Sequence, residues 1–151
     1  MTADEPTVEA DVRERIASDP YCDTLGIDLI DLGAGTARTE LTITEELLNF
    51  HGTPHGGAVY SLADAAFAAA SNSRGNTALA LETNISYLDS VEVGTTLVAT
   101  AKETHVSGRT AEYEVVVTDG KGDEREEEWG SEGTEEDTAR IATFRGRVYR
   151  P

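Results

Sequence analysis

The sequence predicts an α+β fold in which a strongly curved antiparallel sheet wraps around one long central helix. Three observations predict it. Helix-like and strand-like segments follow the order short helix, two strands, long helix, four strands, and a lone long helix among six strands must cross the sheet that covers it. The long helix is also thin. Val59, Leu62, Ala63, Ala66, Phe67 and Ala70 make one continuous apolar stripe, and alanines at 58, 63, 65, 66, 68, 69 and 70 let backbone approach on nearly every side. Finally, 151 residues suffice for one domain, 1–151, burying about 68–70% of its unfolded surface.

The elements are justified in order. "EPTVEADVRERIASD" (Glu5–Asp19) places Val8, Val12 and Ile16 at i, i+4 and i+8, which predicts a short helix with Pro20 beyond its end. "LGIDLIDLGAGTARTELTI" reads as two strands about the turn Gly33–Gly35. Ile27, Leu29 and Asp31 alternate with Asp28, Ile30 and Leu32, and Ala37, Thr39, Leu41 and Ile43 point one way. The long helix follows "HGTPHGG". Four strands then come from "TALALETNISYL", "TTLVATAKETHV", "RTAEYEVVVTD" and "ARIATFRGRVYR", with a tight hairpin turn in "HVSGRT".

Between the last two strands lies "GKGDEREEEWGSEGTEED" (Gly120–Asp137), almost wholly polar, with nine acids. Strand-like flanks predict an enlarged solvated hairpin loop rather than a linker, with Trp129 as a partly exposed aromatic without chemical role.

Charge excludes several function classes. The chain carries 29 acids against 12 bases, a net charge of −17, and only Lys102 and Lys121 as lysines. Such a surface repels nucleic-acid phosphate and anionic lipid. Such a charge suits either binding of a basic partner or hydration in very high salt; acids scattered along the whole chain favour the second, where the screening length falls to about 3 Å. No run approaches the length of a membrane span, and "MTADEPTVEADVRERI" lacks a basic-then-apolar leader pattern, so a cytoplasmic location is expected. One cysteine, Cys22, excludes an internal disulfide and is expected to be buried or half-buried.

"HGTPHGG" concentrates the residues that could carry chemistry. Pro54 lacks an amide donor and disfavours a helical residue before it, so His51 and His55 do not share a helical face. With His105 the only other histidine, a zinc site is short of ligands, and no metal is expected. Gly56 and Gly57 open the helix, where unpaired amides and the positive dipole end could receive a carbonyl oxygen that gains charge on attack. Equally, they could merely permit a tight turn. Asp64 follows eight residues after Gly56, about 12 Å along the helix and rotated by about 80°. One carbonyl cannot lie within about 3 Å of both groups of one helix. If both act on one substrate, they come from two chains. Alone, a helical aspartate with Tyr60, Ala68 and Ser71 as face neighbours also reads as a solvated surface residue.

"LLNFHGTPHGGAVYSLADAAFAAASNSRG" resembles the motif of hotdog-fold acyl-CoA thioesterases of the PaaI type, from phenylacetate degradation. That pattern is an Asn, then H-G-x-x-H-G-G, then an Asp in S-L-A-D, here Asn49, His51, Gly52, His55, Gly56, Gly57 and Asp64. The likeness runs over about residues 20–118 and again over "ATFRGRVYR", with the acidic stretch outside it. It implies hydrolysis of acyl-CoA, with aryl-acetyl or medium-chain acyl groups, without a cofactor. It implies Asp64 as general base or nucleophile and the Gly56 amide as the donor that polarises the carbonyl. His55 would orient that turn, and Asn49 would hold water or substrate. His51, Gly57 and the strand hydroxyl Thr83 would line the substrate site. A homo-oligomer with shared sites is implied, a dimer or a dimer of dimers. A non-catalytic acyl-CoA binding module and a hydratase or dehydratase of the same fold are the alternatives. Arg74, Arg109, Arg145 and Arg147 are candidates for the CoA phosphates.

Overall fold

A computed structural model describes residues 8–120 and 139–151; most of the acidic stretch, with Trp129, lies outside the described residues. The elements in chain order are α1 (Ala10–Ala17), α2 (Pro20–Leu25), β1 (Asp28–Gly33), β2 (Thr36–Thr42), a 3₁₀ turn (Glu45–Leu47), α3 (Gly56–Ser71), β3 (Leu79–Tyr87), β4 (Thr96–Ser107), β5 (Thr110–Asp119) and β6 (Arg140–Tyr149). The six strands form one antiparallel sheet in the order β1-β2-β4-β5-β6-β3. No helix among them is long and apolar enough to cross a membrane.

Two features of the N-terminal half differ from the sequence expectation. The helix expected over Glu5–Asp19 runs over Ala10–Ala17, and a second helix follows it at once. Pro20, read as lying past a helix end, is the first residue of α2. Asp19 caps that helix by accepting from the Tyr21 and Cys22 amides at 2.9 and 3.1 Å, and Pro lacks only the amide a first turn leaves unpaired. In β1 the pairing register shifts between Leu29 and Asp31. This bulge resets the alternation, so Ile27 and Leu32 are both buried while Ile30 is exposed.

The other elements follow their patterns. Ala37, Thr39, Leu41 and Ile43 all face the core. The β4–β5 hairpin turns on Gly108–Arg109, with Gly108 at φ 60°, a position glycine adopts without strain. All six stripe residues of α3 are buried, among them Leu62, Ala63, Ala66 and Ala70 at 0% exposure. At about 1.5–3 kcal/mol for each large side chain removed from water, this stripe is a main source of stability. Sheet and helix come close at Gly146 of β6, where an added Cβ would stand 2.4 Å from Phe67 Cε1. The Phe67 ring packs edge-on to Tyr113 and tilted to Phe144, with centroids 5.8 and 5.5 Å away.

Just past the C-terminal end of α3, a charged cluster joins three elements. Glu103 accepts from Arg74 at 2.8 and 3.1 Å, from the Tyr113 hydroxyl at 2.6 Å, and from Arg150 at 3.5 Å. Burial alone would raise the Glu103 carboxyl; hydrogen bonds from Arg74 and Tyr113 reverse this and hold it below its ordinary value. Burial and the bond to Glu103 push Tyr113 up to about 12.

Candidate active site

The turn before α3 is held by its own side chains. Asn49 Oδ1 accepts from the His51 amide at 2.9 Å, the Thr53 amide at 3.1 Å and the Thr53 hydroxyl at 3.2 Å. A single bridge, Leu48 to Pro54, closes the loop, and Gly52 takes φ 81°, where a Cβ would be strained. The Asn49 carboxamide oxygen is thereby committed to the turn, while its amide nitrogen has no partner among the described residues. His51 is exposed, with its ring 4.2 Å from that of Phe50.

His55 caps α3. Its extended backbone ends the loop, and its Nδ1 accepts from the Gly57 amide at 2.8 Å. Nδ1 is therefore the acceptor nitrogen of the ring in this cap. The cap satisfies one of the amides that a helix start leaves unpaired. Gly57 is thus not a donor for a ligand, whereas the Gly56 amide has no partner among the described residues and carries the positive end of the helix dipole. Gly56 has a second reason to be glycine. The Tyr87 hydroxyl donates to its carbonyl at 3.0 Å, and a Cβ would lie 3.2 Å from that oxygen.

Asp64 stands two turns further along α3, half-buried. Among the described residues no cation pairs with it and no donor reaches it. Burial, and then the Asp19 charge, raise its carboxyl above the ordinary value. The sequence alone left a solvated surface residue open; in the structure this carboxylate is half-buried. Since α3 is continuous from Gly56 to Ser71, Asp64 is about 12 Å along the axis from the Gly56 amide. The chain therefore brings together Asn49, His51, His55, Gly56 and Gly57, and leaves Asp64 apart from them.

Three tyrosines complete the surroundings, and sequence reasoning gave none of them a site role. The Tyr60 and Thr83 hydroxyls are hydrogen-bonded to each other, which puts Thr83 beside the helix face that carries Asp64 one turn later. Tyr87 is raised by burial and then by Tyr60, so the two phenols are neighbours. Tyr21 of α2 bonds the Ser61 hydroxyl at 2.8 Å and ties α2 across α3 beside Asp64. Only Tyr60 lies beside the histidine- and glycine-rich turn in the sequence; Tyr21 and Tyr87 are remote from it along the chain, and no local signal marked them. Two of the candidate phosphate-binding arginines already have acid partners: Arg74 with Glu103 and Arg147 with Glu112, both at 2.8 Å. Among the described residues no three His, Cys, Asp or Glu side chains gather as a metal site.

Comparison with known proteins places this arrangement. Residues 51–126 match the model of the thioesterase superfamily. An esterase-like protein of Archaeoglobus fulgidus is 41% identical over 96 residues, 64% of this chain and 62% of that protein, just under two thirds of its length. The acyl-coenzyme A thioesterase PaaI of Escherichia coli is 34% identical over 133 residues, 88% of this chain and 84% of the enzyme. The structure of E. coli PaaI, from the phenylacetic acid degradation operon, superposes with a TM-score of 0.77 over 92% of this chain and 89% of that one, at 32% identity. The helix wrapped by six antiparallel strands is thus the hotdog fold, and the chain belongs to the thioesterase superfamily as a member of the PaaI type.

Proposed function

We propose that this protein hydrolyses acyl-CoA thioesters, aryl-acetyl or medium-chain, to a free acid and coenzyme A, in sites shared between two subunits. The observation that carries the reading is Asp64, a half-buried helical carboxylate without a cation, raised above its ordinary value. A raised carboxylate is a better general base, because its affinity for a proton lies nearer the working pH.

The chemistry is then direct. Asp64 takes a proton from a water whose oxygen attacks the thioester carbon. The carbonyl oxygen becomes an oxyanion and accepts from the Gly56 amide at the head of the other subunit's α3. Collapse expels the CoA thiolate, and the proton held by Asp64 goes to it. Water and acyl-CoA become acid and CoA, with no cofactor. His55 sets the turn by capping Gly57. Asn49 steadies the loop with its oxygen and offers its nitrogen to water or substrate. His51 and the Thr83–Tyr60 pair line the entrance.

Sharing of sites follows from the Gly56–Asp64 separation. It is supported by β3, which lies at a sheet edge with Leu79, Leu81 and Tyr87 each more than half exposed. A long apolar edge strand is a template for pairing with a second chain. A dimer, or a tetramer of two dimers, is the assembly in view, formed from a single domain spanning 1–151. The net charge of −17 supports a salt-adapted setting.

A panel of acyl-CoAs assayed in molar salt for released thiol tests the reading. Turnover highest on phenylacetyl- or medium-chain acyl-CoA supports it. Binding of an acyl-CoA without CoA release would instead identify a binding module.

A further inference from the structure

The peptide that joins Gly56 to Gly57 is held at both of its ends. Its carbonyl accepts from the Tyr87 hydroxyl at 3.0 Å, and its N–H donates to His55 Nδ1 at 2.8 Å. The two holders come from different parts of the chain. His55 belongs to the turn itself, whereas Tyr87 is the last residue of β3, 31 residues beyond Gly56. The sheet fixes where Tyr87 stands. It pairs with Ala142 of β6, and the next amide, that of Leu88, donates to the Ile141 carbonyl at 2.9 Å. The phenol lies flush against the helix head: a Cβ on Gly56 would stand 3.3 Å from its Cζ and 3.5 Å from its Cε1.

This double hold matters because Gly56 is a glycine. Its own amide N–H belongs to the preceding peptide, and only the φ and ψ of Gly56 relate that peptide to the one gripped by Tyr87 and His55. Glycine is the residue least restricted in those angles, so its amide gains no aim from a side chain of its own. A hydrogen bond from a strand removes that freedom before a substrate arrives. The two bonds also run in series, from the Tyr87 O–H through the peptide to His55 Nδ1, and such chains strengthen each member. Burial, and then Tyr60, raise the Tyr87 phenol above its ordinary value, which keeps it a donor at neutral pH. The Tyr60 hydroxyl is itself bonded to Thr83, so Tyr87 is the phenol that serves the helix head.

We propose that Tyr87 is a positioning residue for the reaction: acting through the Gly56–Gly57 peptide, its hydroxyl aims the Gly56 amide at the thioester carbonyl oxygen. The assignment rests on the thioesterase reading.

Tyr87→Phe tests it by removing the hydroxyl and keeping the ring; Tyr87 is more than half exposed, so the core is untouched. Aim matters most once charge develops on the oxygen. Thus kcat should fall about tenfold while KM for an acyl-CoA changes by less than about twofold. Para-aminophenylalanine at position 87 restores a donor and should return most of the lost kcat, which a role of the ring alone would not produce. A second readout needs no turnover. In an acyl-CoA analogue with a methylene in place of the thioester sulfur, the labelled ketone carbon should resonate further downfield on the wild type than on Tyr87→Phe. Unchanged kcat, a loss that the amino analogue does not restore, or one carbonyl resonance for both proteins overturns the assignment and leaves the thioesterase reading standing. A ketone that does not bind the wild type also overturns it. If the wild type hydrolyses no acyl-CoA yet the two resonances differ, the thioesterase reading fails and the aiming role of Tyr87 stands.

Discussion

Chains carrying Asp64→Asn, mixed with chains carrying Gly56→Val, should recover activity that neither has alone. Asp64→Asn keeps size and removes the charge of the base. Loss of a positioned base costs 10²–10⁴-fold in rate, about 3–5 kcal/mol of barrier. Gly56→Val acts on the turn: its Cβ would stand 3.2 and 3.3 Å from Tyr87 Oη and Cζ, tighter than ordinary contact, and its methyl groups closer still. The turn must shift, and the Gly56 amide with it. Because the two groups are about 12 Å apart on one helix, the proposed mechanism draws each site's amide from one chain and its acid from the other. Refolded together in equal amounts, half of the two-fold dimers are mixed, and each of these has one intact site of two. Recovery should therefore approach about a quarter of wild-type activity. Thiol release in molar salt, with mixing verified by native mass spectrometry, is the assay. Verified mixed dimers no more active than their parents would refute the shared site. Near-wild-type turnover by Asp64→Asn alone would remove Asp64 from the mechanism.

Other perturbations follow from the same contacts. As a base, Asp64 must be ionised, so turnover should be present above its folded pKa and lost as pH falls through it. Burial and then Asp19 raise that value, so the acid limb of the kcat/KM profile should lie above the ordinary aspartate value of about 3.9, and Asp19→Asn should move it down. Folding disfavours an ionised acid whose pKa it raises, with the penalty complete above the folded pKa and absent below the unfolded one. Asp64→Asn should thus raise Tm at pH 7; an unchanged or lower Tm counts against the burial argument. Gly146→Ala drives a methyl into the Phe67 ring and should cost about 1–3 kcal/mol in chemical denaturation, with part regained in the Phe67→Leu background. Glu103→Gln weakens the bonds from Arg74, Tyr113 and Arg150 and should cost about 1–3 kcal/mol at neutral pH. Glu103 is held below its ordinary value, so its stabilisation should vanish as pH falls through that lowered pKa, and the variant should lack this acid transition.

The stripe on α3, the alternation of β2 and the Gly108–Arg109 hairpin were legible in the sequence, because each is a periodicity or a turn requirement set by near neighbours. The His55–Gly57 turn and the separation of Asp64 from Gly56 were legible for the same reason: helix geometry alone sets that distance. Even local reading had a limit at Asp19–Pro20, where a stop signal and a start signal use the same residues and the Asp19 cap begins α2. The β1 bulge is visible only once β2 supplies a register to slip against. The site depended still more on tertiary structure. Tyr87 meets Gly56 across 31 residues, Tyr21 meets Ser61 across 40, and Arg74 is bound by Glu103 across 29. A motif could name Asp64, but packing against α2 decided that this acid is half-buried and raised. Desolvation depends on what the rest of the chain places around a carboxylate, and no spacing along the chain encodes that.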